Sequence, residues 1–177
     1  PPVIDLTKFS SPIESNNVTL LIGDKKLKVS KDYLAVHSPV FKTMFFGEFA
    51  EKGKEEVELK DVVYEEFVDL LHLIYLGTMK ITDRTVIHLL KLADQFQIER
   101  ILSHVMLHLS ESKNIDIITK LVLADQYNLV DLEDRCLNSF ANVSELHKKL
   151  QASPEYANFS ADMKVSICDR IMKLRLQ

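Results

Sequence analysis

The stretch NNVTLLIGDKKLKVSKDYLAVHSPVFKTMFF, residues 16–46, decides between an all-helical chain and a mixed one. Its first part, VTLLI (18–22) and KLKV (26–29), flanks Gly23-Asp24, a turn signal, and reads as a β-hairpin. Leu27 and Val29 alternate with lysines, so one face of the hairpin is wet. The period then changes. Ser30 precedes a short helical run, KDYLAVH, and Ser38-Pro39 supplies an N-cap and an N1 proline to a second helix. That helix has Phe41, Met44 and Phe45 on its apolar face and Gly47 at its end. A hairpin feeding two helices makes the chain α+β.

Outward from there, EFAEKGKEE (48–56) is charged and loop-like, and EVELK (56–60) alternates as a strand does. Between Tyr64 and Leu76 the apolar residues Phe67, Leu70, Leu71, Ile74 and Tyr75 fall on one helical face, with Gly77 at the C′ position. Thr82 or Asp83 is placed to cap the next helix, which turns Val86, Leu89, Leu90, Ala93 and Phe96 inward. Its partner helix carries Ile98, Ile101, Leu102, Val105, Met106 and Leu109. Asn114 is placed to cap a helix with Ile117, Leu121, Ala124 and Tyr127 on one side, followed by a partner with Leu129, Leu132, Cys136, Leu137 and Phe140. After a hinge at 142–144, a short helix over 145–150 leads past Pro154 into a last helix bearing Met163, Ile167, Ile171 and Leu174.

One word occurs twice: LADQFQIERI (92–101) returns as LADQYNLVDL (123–132). Two readings compete with a structural one. Paired Asp94 and Asp125 as acid and base would need both carboxylates in one cleft, and equivalent positions on successive helical hairpins seldom converge. A solenoid needs about three units, and only two are present. The word therefore reads as the inner-helix end of two successive hairpins, the second stacked on the first, with Leu and Ala inward and Asp and Gln outward.

The composition narrows the function classes. With 177 residues, 46% hydrophobic and 27% charged, the chain is an ordinary globular one, folded almost throughout. A net charge of -4 with mixed signs provides no basic footprint for nucleic acid. No apolar run is long enough to span a bilayer, and the opening PPVIDLTKF has no signal-peptide layout, so the expected place is cytoplasmic or nuclear. Beginning Pro1-Pro2 without an initiator Met, the chain reads as part of something longer.

No constellation for chemistry emerges. His104 and His108 have the i, i+4 spacing of two metal ligands, but Val105 stands where a metalloprotease helix has Glu, and no third ligand is fixed. Cys136 and Cys168 lack CxxC spacing, there is no GxSxG, and four glycines make no phosphate cradle. No enzyme, metal or cofactor is expected. Phe49, flanked by Glu48, Glu51, Lys52 and Lys54, is either an apolar anchor in a charged rim or a side chain folded back beside Phe45 and Phe46. The residues alone leave both open.

The series from Asn16 to Phe46, then EVELKDVVYEEFVDLLHLIYLG (56–77), then the helical pair around LADQFQIERI, resembles the BTB/POZ domain. LAVHSPVFKTMF, VELKDV and IYLG in that order carry the likeness. One departure is Ser30-Lys31, where the family usually has His before the basic residue. The charged pocket of some repressor-type members is therefore not carried over, Asp32 included.

The resemblance implies a small mixed sheet covered by helices over 16–111, preceded by an arm over 1–15. A helical 3-box pair over 112–143 and a partial BACK-like extension over 144–177 would follow. The chain is most similar to the MATH-BTB class of cullin 3 ubiquitin-ligase adaptors, whose hydrophobic-x-Glu motif follows the second helix. Phe49-Ala50-Glu51 matches it. The implied partners are the cullin 3 N-terminal region, a second copy of the chain, and protein substrates held by a domain outside it. Phe49 and Glu51 would bind the cullin, with Phe96 bordering the same surface. The dimer would bury Val3, Ile4 and Leu6 of the arm, which also carries Phe9, together with Tyr33 of the first helix. The alternative is an oligomerisation module of a transcriptional regulator or scaffold.

Overall fold

The computed structural model describes residues 4–5, 16–47, 54–77 and 80–176, the first pair by backbone alone. By contacts the chain divides into two compact units, Pro1–Val105 and Met106–Gln177.

In the first unit, β1 (Ile4–Asp5), β2 (Asn17–Ile22), β3 (Lys25–Ser30) and β4 (Glu56–Glu58) form a mixed sheet of order β1-β3-β2-β4. The hairpin is the expected one, Asn17 opposite Ser30 and Ile22 opposite Lys25. Gly23, at φ 59°, supplies the left-handed residue that a two-residue hairpin turn needs. Val18, Leu20 and Ile22 of β2 and Leu27 and Val29 of β3 are buried, as period-2 patterning requires. Both outer pairs are parallel: β4 lies on β2 with Leu20 opposite Val57, and β1 on β3 with Ile4 opposite Leu27. Within the arm, the backbone at Ile4–Asp5 is a strand of this same sheet.

Helices follow: α1 (Lys31–His37), α2 (Pro39–Phe46), α3 (Tyr64–Tyr75), α4 (Val86–Gln95) and α5 (Glu99–Glu111), which runs past the division between the units. Ser30 caps α1 by accepting from the Tyr33 N–H, and Ser38 caps α2 by accepting from the Phe41 N–H at 3.0 Å. Gly77 takes the left-handed C′ position after α3, at φ 61°. The start of α4 differs from expectation. The N-cap residue is Thr85, not Thr82 or Asp83; a turn over Thr82–Thr85, closed by Thr85 N–H on Thr82 O at 3.0 Å, leads into Val86.

Four phenylalanines hold the centre of this unit. The Phe41 ring stacks on Phe96 at 4.5 Å and on Phe45 at 5.6 Å, while Phe67 meets Phe96 edge-on at 5.6 Å. Such pairs contribute ~0.5–1.5 kcal/mol beyond the area they bury.

The second unit contains α6 (Ile117–Gln126), α7 (Val130–Ser139), α8 (Val143–Gln151), a 3-10 helix (Pro154–Asn158) and α9 (Ala161–Arg175). Asp116, not Asn114, caps α6, accepting from the Ile118 N–H at 2.9 Å. An aspartate directly before the first helical residue reaches that N–H, and Asn114 stands two residues too early. Leu121, Leu132, Phe140, Leu146, Met163 and Ile167 form the core, and Arg170 of α9 donates to the Phe140 carbonyl at 2.9 Å just past the end of α7.

Candidate protein-docking surface

Between α2 and β4 lies a groove of about 510 Å³ lined by Pro39, Val40, Thr43, Met44, Val57, Glu58 and Gln97. Helical period makes it: α2 buries Phe41 and Phe45, so Val40, Thr43 and Met44, at i, i+3 and i+4, share an outer face. The parallel pairing of β4 with β2 sets one wall, and Gln97, in the left-handed region at φ 51°, sets the end. Apolar walls with Glu58 on one side suit a partner that offers apolar side chains and a donor.

Residues 48–53 join α2 to the chain ahead of β4. Phe49 and Glu51 lie there, outside the described residues. The described side of that connection is held firmly. Glu55 O accepts from the Thr19 N–H at 2.8 Å, and Lys54 O accepts from Lys31 Nζ at 3.0 Å. Lys31, the first residue of α1, is 6% exposed.

Phe96, expected to border the contact surface, is a core residue instead. It is 3% exposed, its ring lies among Phe41 and Phe67, and its carbonyl accepts from Ser38 Oγ at 2.6 Å. The inward helical position that sequence periodicity assigns to it outweighs its nearness to a helix end. Gln97, one residue on, reaches the groove.

Of the residues expected in a dimer, Val3 and Leu6 lie outside the described residues and so does the side chain of Ile4. Tyr33 is half-buried; its hydroxyl donates to Ile74 O at 3.2 Å and its ring stacks on Tyr75 at 4.6 Å. Tyr75 accepts the Ser30 N–H at 3.1 Å. Burial pushes the Tyr75 phenol up to about 12, against the pull of that N–H. Near Tyr33 on the same helix, Val36 is 80% exposed. Sequence reasoning missed Val36, although its offset of two residues from the buried Leu34 turns it outward. His37, meeting Tyr33 edge-on at 4.9 Å, is held below its ordinary value first by burial and then by the Arg100 guanidinium.

The repeated carboxylates part company. Asp94 is exposed. Asp125 Oδ2 accepts the Ser160 N–H at 2.8 Å and Oδ1 accepts the Ser160 hydroxyl, the residue that caps α9. His104 is exposed and His108 half-buried, and among the described residues no group of three or more His, Cys, Asp or Glu could hold a metal ion. Cys168 is exposed; Cys136 is buried, and burial pushes its thiol up while nearby Lys120 pulls the other way. No described helix is long and apolar enough to cross a membrane.

Comparison with known proteins places this geometry. The family model described as "BTB/POZ domain" matches residues 6–113, more than half of the chain. "BTB and MATH domain-containing protein 38" of Caenorhabditis elegans is 42% identical over 158 residues, 89% of this chain and 41% of its own length. "BTB and MATH domain-containing protein 36" of the same organism is 38% identical over 131 residues, 73% of this chain and 41% of its own. The chain thus spans about two fifths of the length of these curated relatives. Among solved structures, the "BTB domain of zebrafish PATZ1" is similar over 54% of this chain and 75% of that one, with a TM-score of 0.46 and 18% identity, too distant to bear on function.

Proposed function

The chain belongs to the BTB/POZ family, and from that premise we propose that it is a non-enzymatic adaptor which homodimerises and docks the N-terminal region of cullin 3. Protein substrates are captured by a domain outside this chain, as the BTB and MATH names of its relatives suggest. Domain limits follow the same reading: an arm over 1–15, the BTB domain over 16–111, a 3-box pair over 112–143 that extends the cullin cradle, and partial BACK-like helices over 144–177.

The observation that carries the proposal is the groove between α2 and β4. Its walls, α2 and β4, precede and follow in sequence the segment that holds Phe49-Ala50-Glu51, the hydrophobic-x-Glu order of cullin adaptors. In this reading Phe49 enters an apolar slot on the cullin, and Glu51 makes charge-assisted hydrogen bonds that orient the segment. A cullin side chain fills the space between Val40, Met44 and Val57. Dimerisation uses Tyr33 and the arm residues Val3, Ile4 and Leu6.

Titration of the chain with the cullin 3 N-terminal region by calorimetry tests this directly. A saturable complex is expected, and Phe49→Ala should cost about 2 kcal/mol or more, the scale of an interface hot spot. Glu51→Ala should add to that loss while circular dichroism stays unchanged. Undiminished affinity in the double variant would remove the motif from the reading, and absence of any complex with the unaltered chain would remove the cullin.

A further inference from the structure

Gln97 stands where glycine would fit without strain. At φ 51° it occupies the left-handed region, which disfavours a residue carrying a Cβ. The equivalent residue of the second LADQ hairpin is Asn128 at φ 53°, a type that tolerates this region better than Gln. Strain of this kind persists only where the surroundings hold it, and it collects at binding sites. Here the surroundings do hold it. The Gln97 N–H donates to Asp94 O at 3.0 Å, and the Ile98 N–H donates to Ala93 O at 2.7 Å. The Phe96 carbonyl, in the peptide group that joins Phe96 to Gln97, accepts from Ser38 Oγ at 2.6 Å. Ser38 in turn caps α2, whose Pro39, Val40, Thr43 and Met44 line the groove that Gln97 closes. The Gln97 side chain is exposed, and among the described residues its amide has no hydrogen-bond partner. An uncharged amide that both donates and accepts matches a peptide group, whereas the Glu58 carboxylate on another wall only accepts.

We propose that Gln97 is a specificity-determining residue of the α2–β4 groove: its side-chain amide hydrogen-bonds a backbone peptide group of the docked partner, beside the apolar side chain that enters between Val40, Met44 and Val57. This rests on the docking surface proposed above, with the cullin 3 N-terminal region as the occupant. A partner that offers the apolar side chain without an accessible peptide group next to it leaves the amide unpaired on desolvation and is disfavoured. The bonds on either side of Gln97 fix its backbone before the partner arrives, so docking orders only the side chain.

Stability and affinity moving in opposite directions test this, both measured on the full chain. Gln97→Gly removes the amide and relieves the backbone, so its melting temperature should rise. Calorimetric titration of the same variant with the cullin 3 N-terminal region should show affinity about three- to tenfold lower, the scale of one neutral hydrogen bond. Gln97→Glu keeps the shape of the side chain and replaces the donor with a carboxylate. Its affinity should fall at least as far, with the melting temperature close to that of the unaltered chain. Equal affinity of the unaltered chain and both variants overturns the role of Gln97 and leaves the adaptor reading standing. A loss in Gln97→Gly that Gln97→Glu does not share also overturns it, since the effect then comes from backbone freedom and not from the amide. If the unaltered chain binds no cullin, the adaptor reading falls and the role of Gln97 falls with it.

Discussion

Ser38 has one hydroxyl and two tasks. Its Oγ accepts the Phe41 N–H as the cap of α2 and donates to the Phe96 carbonyl, 58 residues away, with the residue almost wholly buried. Replacement by alanine removes a cap and leaves a buried carbonyl unpaired, costs of ~1 and ~1–3 kcal/mol respectively. Ser38→Ala is therefore expected to lose about 2–4 kcal/mol in urea denaturation, and a loss below about 1 would show that the second bond contributes little. Tyr75 gives a pH signature. Its phenol is raised from 10.0 to about 12 chiefly by burial, so the folded state prefers the neutral form. The sign follows: this contribution is fully present below pH 10 and is lost as pH rises from 10 toward 12. Comparison of unfolding free energies across that window should show a loss of about 2–3 kcal/mol that Tyr75→Phe lacks. Parallel pH profiles for the two proteins would contradict it.

Among the elements, the repeated LADQ word has a physical meaning that its carboxylates do not explain. In both copies the helix stops in the same way: Ile98 N–H donates to Ala93 O at 2.7 Å, and Leu129 N–H donates to Ala124 O at 2.8 Å. The residue between, Gln97 at φ 51° or Asn128 at φ 53°, is left-handed. This is the Schellman ending, which satisfies orphan carbonyls and drops an apolar residue back onto the helix; Ile98 and Leu129 are both buried. What recurs is a rule for ending one helix and beginning the next. Asn enters the left-handed region with little strain, whereas Gln does so at greater cost. Gln97→Gly should therefore raise stability by about 0.5–1 kcal/mol and Asn128→Gly by less, as read by thermal denaturation. Equal gains at both sites would place the cost elsewhere. The two aspartates meanwhile show how far a repeat constrains a side chain: Asp125 acquired Ser160 from α9 as a partner, and no local pattern announces a contact across 35 residues.

At the scale of the molecule, the proposed dimer depends on what covers α1. Val36 is the most exposed large apolar side chain on that helix and lies close in sequence to Tyr33. A two-fold contact between copies buries such a residue against its own equivalent surface. If α1 forms that contact, Val36→Asp should convert the chain to a monomer in sedimentation analysis while Phe49→Ala remains dimeric. A dimer that persists in Val36→Asp would move the interface away from α1. The candidate groove is also a product of the whole unit: Pro39, Val57 and Gln97 come from three separate stretches, joined only when β4 enters the sheet and the turn after α4 closes.

The hairpin, the Ser-Pro cap of α2, the apolar face of α3 and the order of the helices were legible from sequence, because each depends on hydrogen bonds and periodicities that close within a few residues. The family likeness was legible for the same reason, since its words mark those local elements. Only the tertiary structure decided that both outer strand pairs are parallel, that Phe96 belongs to an aromatic core, that Asp125 holds Ser160, and that Lys31 grips Lys54. Each of these joins residues far apart in the chain, and a backbone carbonyl, the partner chosen by both Ser38 and Lys31, carries no residue identity for a sequence to display.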